Sequence, residues 1–473
     1  MKIEDIKRIH IIGIKGSGVA GLAEVLASRG IFVSGSDTEE KFFTDDVLKR
    51  AGIYYEENFA PENIPFDVDL VIYSTAYNEE NNVEFREARK RGVLMRSYPE
   101  MVAELFNGKY GLAVCGTHGK TTTSALLAFV LDRAGKNPGA VIGSRVKDWG
   151  GNALSGEGEY FVIEADEYQN KLALYEPKGV VLTSVDFDHP DFFPDFYAYK
   201  KAFSDFVAKI PRSGFLVVWG DSVDTLEVAK NSGGEALTYG FGEENDFRIS
   251  NLEFLISNEI PNPKSQIPNQ SQRFFLKHNE KHLGEFEIQL VGKHNVLNAT
   301  AVVAVCHKLG MDMDKVREAL KEFQGTSRRF EYVGERNGGI LIDDYGHHPE
   351  EIKATLKGAR EIYPEKNIWA IFHPHSFSRT EALLSDFSQS FDSADRVLVL
   401  DIYGSARESS GNISSKDLVK LINKYSRDKA EYVPTIPEAI EFLKNKIGPN
   451  DVIIAIGAGN VFEVVHKLKE KDA

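Results

Sequence analysis

The stretch AVCGTHGKTTT at residues 113–123 decides the fold, because a strand-like run enters a glycine loop there and Lys120-Thr121 leads into a predicted helix. Backbone N–H groups of such a loop, together with the helix dipole, bind phosphate oxygens. The lysine can reach the terminal phosphates, and the first threonine hydroxyl can bind Mg²⁺. The usual pattern has a glycine where this chain has Val114, so the match is partial, but its context favours a phosphate site over a glycine-rich surface turn. The stretch therefore predicts an ATP site formed by Gly116, Thr117, His118, Gly119, Lys120, Thr121 and Thr122.

Short apolar runs alternate with helical patterns on both sides of this stretch. Strands that alternate with helices at this spacing predict parallel sheets. A turn followed by a new strand places one boundary near Gly108, and a new α/β series places another near Gly325. We therefore predict an α/β fold of three tandem domains on mostly parallel sheets, at 1–107, 108–325 and 326–473: Rossmann-like, P-loop ATPase-like and Rossmann-like.

The elements that carry this prediction are short. The predicted strands cover 9–14, 31–33, 70–73, 110–115, 160–163, 179–182, 215–218, 340–342, 368–372, 396–400 and 452–456. The predicted helices include 19–27, 83–91, 124–134, 295–308 and 313–322. A polar stretch at 251–285 is interpreted as hairpins at the edge of the central domain, with a flexible tip at 261–272.

A second glycine loop, Gly16-Ser17-Gly18 with Gly21 behind it, follows the first predicted strand. With Asp37, which comes 21 residues after Gly16, it fits the dinucleotide fingerprint. A single such loop is a weak signal, and the residues alone leave a nicotinamide and another nucleotide diphosphate about equally open. The predicted ATP site favours another nucleotide diphosphate over a nicotinamide, because a dehydrogenase has no need of ATP.

Acidic residues follow the predicted strand at 160–163. Glu164 begins the sequence EADE at the carboxyl end of that strand, where side chains face the ligand crevice of an open α/β sheet. We predict that Glu164 completes a Mg²⁺ site with Thr121, in preference to a solvated acidic turn. His189, in DFDHPD after the strand at 179–182, is predicted to hold a second cation or to contact the reacting phosphoryl group, although a lone histidine is more often structural.

Two further motifs suit nucleotide recognition. His294 and Asn295 in GKHNVLNA begin a helix and can hydrogen-bond a purine, although Asn295 as a helix cap is nearly as well supported. Arg328 and Arg329 follow a Gly-Thr-Ser turn and can neutralise charge on a transferring phosphoryl group.

Polar clusters also follow two predicted strands of the last domain. The first cluster consists of Asp343, Asp344, His347 and His348. Because the adjacent histidines lack the usual zinc-ligand spacing, contacts to nucleotide ribose and substrate are favoured over a metal site. The second cluster, HPHSFSR, ends in Arg379, which is suited to clamp a carboxylate.

The composition excludes several functional classes. The 473 residues contain 56 Lys and Arg and 71 Asp and Glu, a formal net charge of −15, which disfavours nucleic-acid binding. No apolar run approaches about 18 residues, the start lacks the pattern of a secretory signal, and Cys115 and Cys306 are too few for a disulfide framework. We expect a cytoplasmic protein that binds neither nucleic acid nor membrane.

Taken together and in order, these motifs resemble the Mur ligases over essentially the whole chain. The matching segments are HIIGIKGSGVAGLAEVLASRG from His10, GTHGKTTT from Gly116, EADE from Glu164, DHPD from Asp188, GKHNVLNA from Gly292, SRRFE from Ser327, DDYGHHPEEI from Asp343 and HPHSFSRT from His373. The resemblance implies a three-domain ATP-dependent ligase of peptidoglycan synthesis that forms an amide bond. The sequence leaves open whether it is a monomer or a homodimer. The first domain would bind a UDP-sugar through Gly16, Ser17, Gly18, Asp37 and Ser74.

The resemblance also implies a mechanism and roles. The carboxylate of UDP-N-acetylmuramate attacks ATP to form an acyl phosphate, and the amine of L-alanine then displaces phosphate. Catalysis is assigned to Lys120, Glu164, His189, Arg328, Arg329 and His348. Magnesium is assigned to Thr121, Glu164 and His189. Adenine is assigned to His294 and Asn295, ribose and phosphate to the Arg328-Arg329 and Asp343-Asp344 pairs, and the amino acid to His347, His348, His375 and Arg379.

Departures from the family pattern leave alternatives open. Lys15 replaces a glycine beside the diphosphate loop, and Ser376 replaces an arginine in HPHSFSRT. The segment VDFDHPDFF is more similar to ligases that attach a preformed tripeptide during cell-wall recycling, so that amine is the nearer alternative. An NAD-linked oxidoreductase and a non-catalytic nucleotide sensor are the alternatives from other classes. Lys200 and Lys201 are interpreted as surface lysines of an amphipathic helix.

Overall fold

The computed structural model describes residues 3–256, 270–404, 408, 410–426 and 428–470. Over these residues the strands form three separate sheets, one in each part of the chain. The predicted fold class, three tandem α/β units on mostly parallel sheets, is confirmed. The predicted boundaries at 107/108 and 325/326 fall between the sheets and stay a prediction.

The first sheet carries the N-terminal glycine loop. Its elements are β1 (Arg8–Ile12), α1 (Ser17–Ser28), β2 (Phe32–Ser36), α2 (Phe43–Arg50), β3 (Tyr54–Glu56), β4 (Leu70–Tyr73), α3 (Val83–Lys90), β5 (Leu94–Ser97) and α4 (Tyr98–Asn107). The strand order is β3-β2-β1-β4-β5, and all pairs are parallel. Ile11 and Ile12 of the central strand enter different hydrophobic clusters, because successive side chains point to opposite faces of the sheet. The loops after β1, β2 and β4 therefore share the carboxyl edge where the strand order reverses, which is where open sheets bind ligands.

The second sheet carries the phosphate loop. Its elements are β6 (Tyr110–Cys115), α5 (Lys120–Arg133), β7 (Gly139–Val146), β8 (Gly151–Ser155), β9 (Tyr160–Glu164), β10 (Gly179–Leu182), α6 (Phe196–Val207), β11 (Phe215–Trp219), α7 (Val223–Ala229), β12 (Glu235–Gly240), β13 (Phe247–Ile256), β14 (Gln270–His278), β15 (Lys281–Ile288), α8 (Lys293–Lys308) and α9 (Met313–Glu322). β6 lies between β10 and β9 and is parallel to both, so the loops after these three strands meet.

The edge of the second sheet is antiparallel, as the polar stretch at 251–285 predicts. β13, β14 and β15 pair as successive hairpins. Residues 257–269, which include most of the predicted tip at 261–272, lie outside the described residues.

The third sheet carries the C-terminal motifs. Its elements are β16 (Glu331–Arg336), β17 (Gly339–Asp344), α10 (Pro349–Ile362), β18 (Asn367–Phe372), α11 (Phe377–Ala382), α12 (Leu384–Ser388), β19 (Arg396–Val399), α13 (Ser415–Tyr425), β20 (Ala430–Tyr432), α14 (Ile436–Lys444), β21 (Asp451–Ile456) and α15 (Phe462–Lys469). The order is β16-β17-β21-β18-β19-β20, with only the β16–β17 pair antiparallel among the described strands. Across all three units, no described helix is long and apolar enough to cross a membrane.

Candidate active site

The loop after β6 has the backbone that a phosphate site requires. Gly116 has a φ of +125° and Gly119 a φ of +76°, and a Cβ on Gly119 would lie 2.7 Å from Asn298 Oδ1. These conformations and this close approach favour glycine. α5 begins at Lys120, directly after Gly119, so its first N–H groups and its dipole face the loop.

Lys120 is already engaged within this loop. Its Nζ donates to the carbonyls of Gly116 at 2.6 Å and Thr117 at 3.2 Å, and lies 3.1 Å from Glu167 Oε2. Glu167 is fully buried and also accepts a hydrogen bond from the Tyr199 hydroxyl at 2.9 Å. Although burial opposes it, the nearby carboxylates raise the pKa of Lys120 above its ordinary value. The charged ammonium of Lys120 therefore lies in the phosphate loop beside Glu167, a carboxylate for which no role was predicted from the sequence.

The predicted magnesium ligands divide into two groups. The Thr121 hydroxyl donates to Glu164 Oε1 at 2.8 Å, so these two are in contact. His189 lies instead with Asp166 and Glu167, and one ligand atom from each of these three lies within 4.8 Å of the others. Carboxylate oxygens are the ligands that Mg²⁺ prefers, and imidazole also binds divalent metals. Asp166 and Glu167 belong to the EADE motif, of which only Glu164 was predicted as a ligand.

A cavity of about 270 Å³ lies beside the phosphate loop, between the second and third units. The predicted ATP contacts that line it are His118, Gly119, Thr122, His294, Asn295, Arg329 and Asp344. The structure thus brings residues from four separate sequence motifs to one cavity, whose size is near the lower end of small-molecule sites.

Trp219 is a lining residue of this cavity that was not predicted from the sequence. Its Nε1 is buried and has no hydrogen-bond partner among the described residues. A buried donor without a partner is costly, and a ring nitrogen of a purine would satisfy it. Asn295 is not a helix cap, since α8 begins at Lys293 after Gly292, and its Nδ2 donates to Val291 O at 2.6 Å.

The structure separates the members of the adjacent arginine and aspartate pairs. Arg329 and Asp344 line the cavity. Arg328 and Asp343 do not: Arg328 Nε lies 3.1 Å from Asp343 Oδ2, and Arg328 Nη2 donates to Gly457 O at 2.7 Å. Burial raises the pKa of Asp343 to about 7, against the effect of Arg328. Arg328 and Asp343, both predicted at the nucleotide, therefore support the end of β17 and the start of the loop after β21.

The C-terminal histidines take different positions. The rings of His347 and His375 lie 6.3 Å apart, and burial lowers their pKa values to about 3 and about 4. Both imidazoles are therefore neutral at neutral pH. His348 caps α10, accepting from the Glu350 N–H at 3.3 Å, and its ring lies 4.6 Å from that of His118 in the phosphate loop.

Arg379, which is predicted to bind a carboxylate, forms an ion pair with a carboxylate of the protein itself. Arg379 Nε donates to Asp188 Oδ1 at 2.8 Å, and both side chains are buried. Although burial opposes it, Arg379 holds the pKa of Asp188 well below its ordinary value. Ser376, which stands where the family has an arginine, caps α11 by accepting from the Arg379 N–H at 3.2 Å. The pair joins the third unit to the second beside His189.

His118 makes a second connection between these two units. Its Nε2 lies 3.4 Å from Asp186 Oδ2, and its Nδ1 lies 3.6 Å from Glu351 Oε1 on α10. Although burial opposes it, these two carboxylates raise the pKa of His118 to about 9. Glu351 Oε1 also lies 3.5 Å from Arg329 Nη1, and its Oε2 accepts from the His347 N–H at 2.9 Å. No role was predicted for Glu351 from the sequence, although it stands four residues after His347 in DDYGHHPEEI.

The residues predicted to bind the UDP-sugar lie at the carboxyl edge of the first sheet. Gly16, Asp37 and Ser74 are on the loops after β1, β2 and β4, and Ser17 and Gly18 begin α1. Asp37 shapes the glycine loop, because its Oδ2 accepts from the Lys15 N–H at 2.7 Å. Gly18 allows close packing, since a Cβ there would lie 2.2 Å from the Tyr98 hydroxyl.

Lys15, the departure beside this loop, is a buried structural cation. Its Nζ donates to Thr38 O at 2.8 Å, Glu40 O at 3.0 Å and Glu57 Oε1 at 2.9 Å, and lies 3.2 Å from Asp45 Oδ1. Burial alone would lower the pKa of Lys15, but Glu57 and Asp45 raise it above its ordinary value. The lysine therefore fastens the segment after β2 to the glycine loop.

Replacing Lys15 by methionine is expected to lower the free energy of unfolding by about 2 kcal/mol, because several acceptors lose a buried donor. Partial exposure of Glu57 keeps the loss below that of a fully buried pair. Urea unfolding measures the change. Lys41→Met is the matched control, because Lys41 pairs with the same Glu57 but is 69% exposed, and about 0.5 kcal/mol or less is expected. Equal losses in the two variants would contradict a structural role for Lys15.

Fold and site together define a three-unit nucleotide-dependent ligase, and the comparisons with known proteins agree. Models of the Mur ligase family match three segments: the catalytic domain over residues 8–110, the middle domain over 114–306 and the glutamate ligase domain over 328–459. The chain belongs to the Mur ligase family. The predicted enzyme class, an ATP-dependent carbon–nitrogen ligase, is confirmed, and the oxidoreductase hypothesis is not supported.

Three similar proteins carry the name of an alanine-adding ligase. A UDP-N-acetylmuramate–L-alanine ligase from Desulfitobacterium hafniense is 40% identical over 97% of this chain and 99% of its own length. The ligase of the same name from Caldanaerobacter subterraneus is 38% identical over 99% of both chains. The crystal structure of the UDP-N-acetylmuramate-alanine ligase from Thermotoga maritima covers 98% of both chains with a TM-score of 0.80 and 27% identity.

Proposed function

We propose that this chain joins L-alanine to the lactyl carboxylate of UDP-N-acetylmuramate, using ATP and Mg²⁺, through an acyl phosphate. The names of its relatives support the proposal, and one structural observation carries it. His189 belongs to the candidate cation cluster, and the adjacent Asp188 holds Arg379 of the third unit. The residues assigned to phosphoryl transfer and those assigned to the amine are therefore adjacent at the dipeptide Asp188-His189.

The proposed reaction has two displacements. A lactyl carboxylate oxygen bonds to the γ-phosphorus of ATP while the bond from that phosphorus to the bridging oxygen breaks, which gives the acyl phosphate and ADP. The nitrogen of L-alanine then bonds to the acyl carbon, loses a proton, and the carbon–oxygen bond to phosphate breaks. Both steps join bound reactants, so the protein acts mainly by positioning them and stabilising charge.

We assign the phosphate side of the site to groups that contact one another in this structure. Lys120 would exchange Glu167 for phosphate oxygens and stabilise charge that develops on the phosphoryl group. Release of Glu167 would complete the oxygen and nitrogen ligands offered with Asp166 and His189, a set that fits Mg²⁺. When bound, Mg²⁺ neutralises phosphate charge. Thr121 and Glu164 are a second candidate ligand pair.

The amine side of the site is assigned to the neutral imidazoles and Arg379. His347 and His375 can accept hydrogen bonds from the amino group because burial keeps them unprotonated. Arg379 would bind the amino-acid carboxylate in exchange for Asp188. Approach of the third unit to the second would exclude water from the acyl phosphate. The N–H groups at the start of α1 would bind the diphosphate of the sugar nucleotide.

The deciding experiment measures phosphate release from ATP and Mg²⁺ with UDP-N-acetylmuramate and one amine at a time: L-alanine, glycine, L-serine or the recycling tripeptide. We expect release that depends on both L-alanine and the sugar nucleotide, with the amide product seen by mass spectrometry. A preference for the tripeptide would reassign the amine and make Ser376→Arg the variant to test. ATP binding without amine-dependent release would contradict the ligase proposal and favour a nucleotide sensor.

A further inference from the structure

The side chain of Tyr98 lies between the glycine loop of the first unit and the second unit. Tyr98 is the first residue of α4, the helix that connects the first sheet to β6. Its hydroxyl lies against the start of α1, because a Cβ on Gly18 would collide with it. Its ring packs against a hydrophobic cluster to which both units contribute, with Leu22 and Phe161 among the members. Packing therefore fixes the ring and directs the phenol to the junction of the two units.

The Tyr98 hydroxyl is a donor that the protein does not use. It has no hydrogen-bond partner among the described residues, whereas a tyrosine hydroxyl in a packed region usually finds one. Burial raises the pKa of the phenol, and the nearby charges of Glu164 and Asp166 raise it further. The hydroxyl therefore keeps its proton at neutral pH and can donate it in a hydrogen bond to a ligand.

The two phosphate-binding loops are only a few groups apart at this junction. The Ser17 hydroxyl donates to Gly143 O at 2.7 Å, and the Gly143 N–H donates to Glu164 Oε2 at 2.8 Å. The other oxygen of that carboxylate accepts from the Thr121 hydroxyl at 2.8 Å. One backbone residue thus separates the start of α1 from the candidate cation ligands of the second unit. A sugar nucleotide with its diphosphate on α1 must carry its reacting group across this gap to reach the γ-phosphate.

We propose that Tyr98 binds the substrate, its hydroxyl donating a hydrogen bond to the lactyl carboxylate of UDP-N-acetylmuramate. This inference rests on the proposed function and adds a residue to the site. A carboxylate that enters beside Glu164 and Asp166 is repelled by both, so a donor of the protein is needed to hold it there. One lactyl oxygen accepts from Tyr98, and the other is left free to attack the γ-phosphorus.

The test compares the unaltered protein with Tyr98→Phe, which keeps the ring and removes only the hydroxyl. We expect kcat/KM for UDP-N-acetylmuramate to fall about tenfold, because a hydrogen bond to a charged group is lost. The inhibition constants of UDP and UDP-N-acetylglucosamine should not change, because neither compound has a lactyl carboxylate. A loss confined to the lactyl compound is a result that a purely structural role of Tyr98 would not produce.

Tyr110→Phe is the matched control, because Tyr110 packs on Tyr160 at the amino end of β6, away from the phosphate loop. It should keep the wild-type constants. An unchanged kcat/KM in Tyr98→Phe would overturn the inference and leave the proposed function intact. Equal weakening of UDP and UDP-N-acetylmuramate would move the contact to the diphosphate and also overturn it. If the unaltered protein formed no amide, the proposed function would fail, and this inference with it.

Discussion

Replacing Lys120 by alanine is expected to lower the rate of amide formation by about 10³-fold, because the charge nearest the transferring phosphoryl group is removed. UDP-sugar affinity measured without nucleotide should be nearly unchanged. The reason is that the hydrogen bonds and ion pair of Lys120 Nζ all lie within the second unit, to Gly116, Thr117 and Glu167. Single-turnover phosphate release measures the first quantity and calorimetry the second.

The variant also leaves Glu167 buried without its cation, so a loss of stability must be separated from a loss of chemistry. The double variant Lys120→Ala/Glu167→Gln removes that unpaired charge and should recover thermal stability without recovering activity. Lys201→Ala is the matched control, since Lys201 is 56% exposed and pairs with Asp205 on the outer face of α6. Wild-type turnover in Lys120→Ala would remove the loop from the mechanism.

The sequence predicts the central strands well because their patterns are simple. β4, β6, β10 and the helix α9 have the predicted bounds, since each is an apolar or amphipathic run between clear turn signals. The short edge strands β3, β5 and β20 were missed, because Tyr54–Glu56 and its counterparts are half-exposed and lack a buried run. α5 begins at Lys120 rather than at residue 124. Its threonine-rich start has low helix propensity, and the buried position overrides it.

The sequence motifs identified residues of the candidate site, but they did not show which of these residues contact one another. Whether Arg328 or Arg329 faces the nucleotide cavity depends on a left-handed backbone at Arg328, with φ +59°, which no spacing rule reveals. Asp343 and Asp344 are successive residues of β17 and so point to opposite faces. Glu167 and Glu351 were missed because each acts through a partner from another motif, Lys120 and His118.

Replacing Glu351 by glutamine is expected to lower kcat/KM for ATP by about 10²-fold, because the second and third units lose a charge that aligns them. The largely buried Glu351 carboxylate lies between His118 of the phosphate loop and Arg329 of the third unit, at 3.6 and 3.5 Å. Although burial opposes it, these cations hold the pKa of Glu351 well below its ordinary value, so the carboxylate stays charged. Glutamine preserves the shape and removes the charge. Steady-state kinetics with Glu361→Gln, at the far end of α10, gives the matched control.

The pH dependence of stability distinguishes alignment by charge from simple packing. His118 has its pKa raised to about 9 from an ordinary value near 6.5, so its contribution to stability is fully present below pH 6.5 and is lost as the pH rises through 9. Because Glu351 supplies part of that shift and Asp186 the rest, Glu351→Gln should reduce the fall in Tm between pH 6.5 and pH 9.5 without abolishing it. An identical fall in both proteins would mean that Glu351 does not hold the proton on His118.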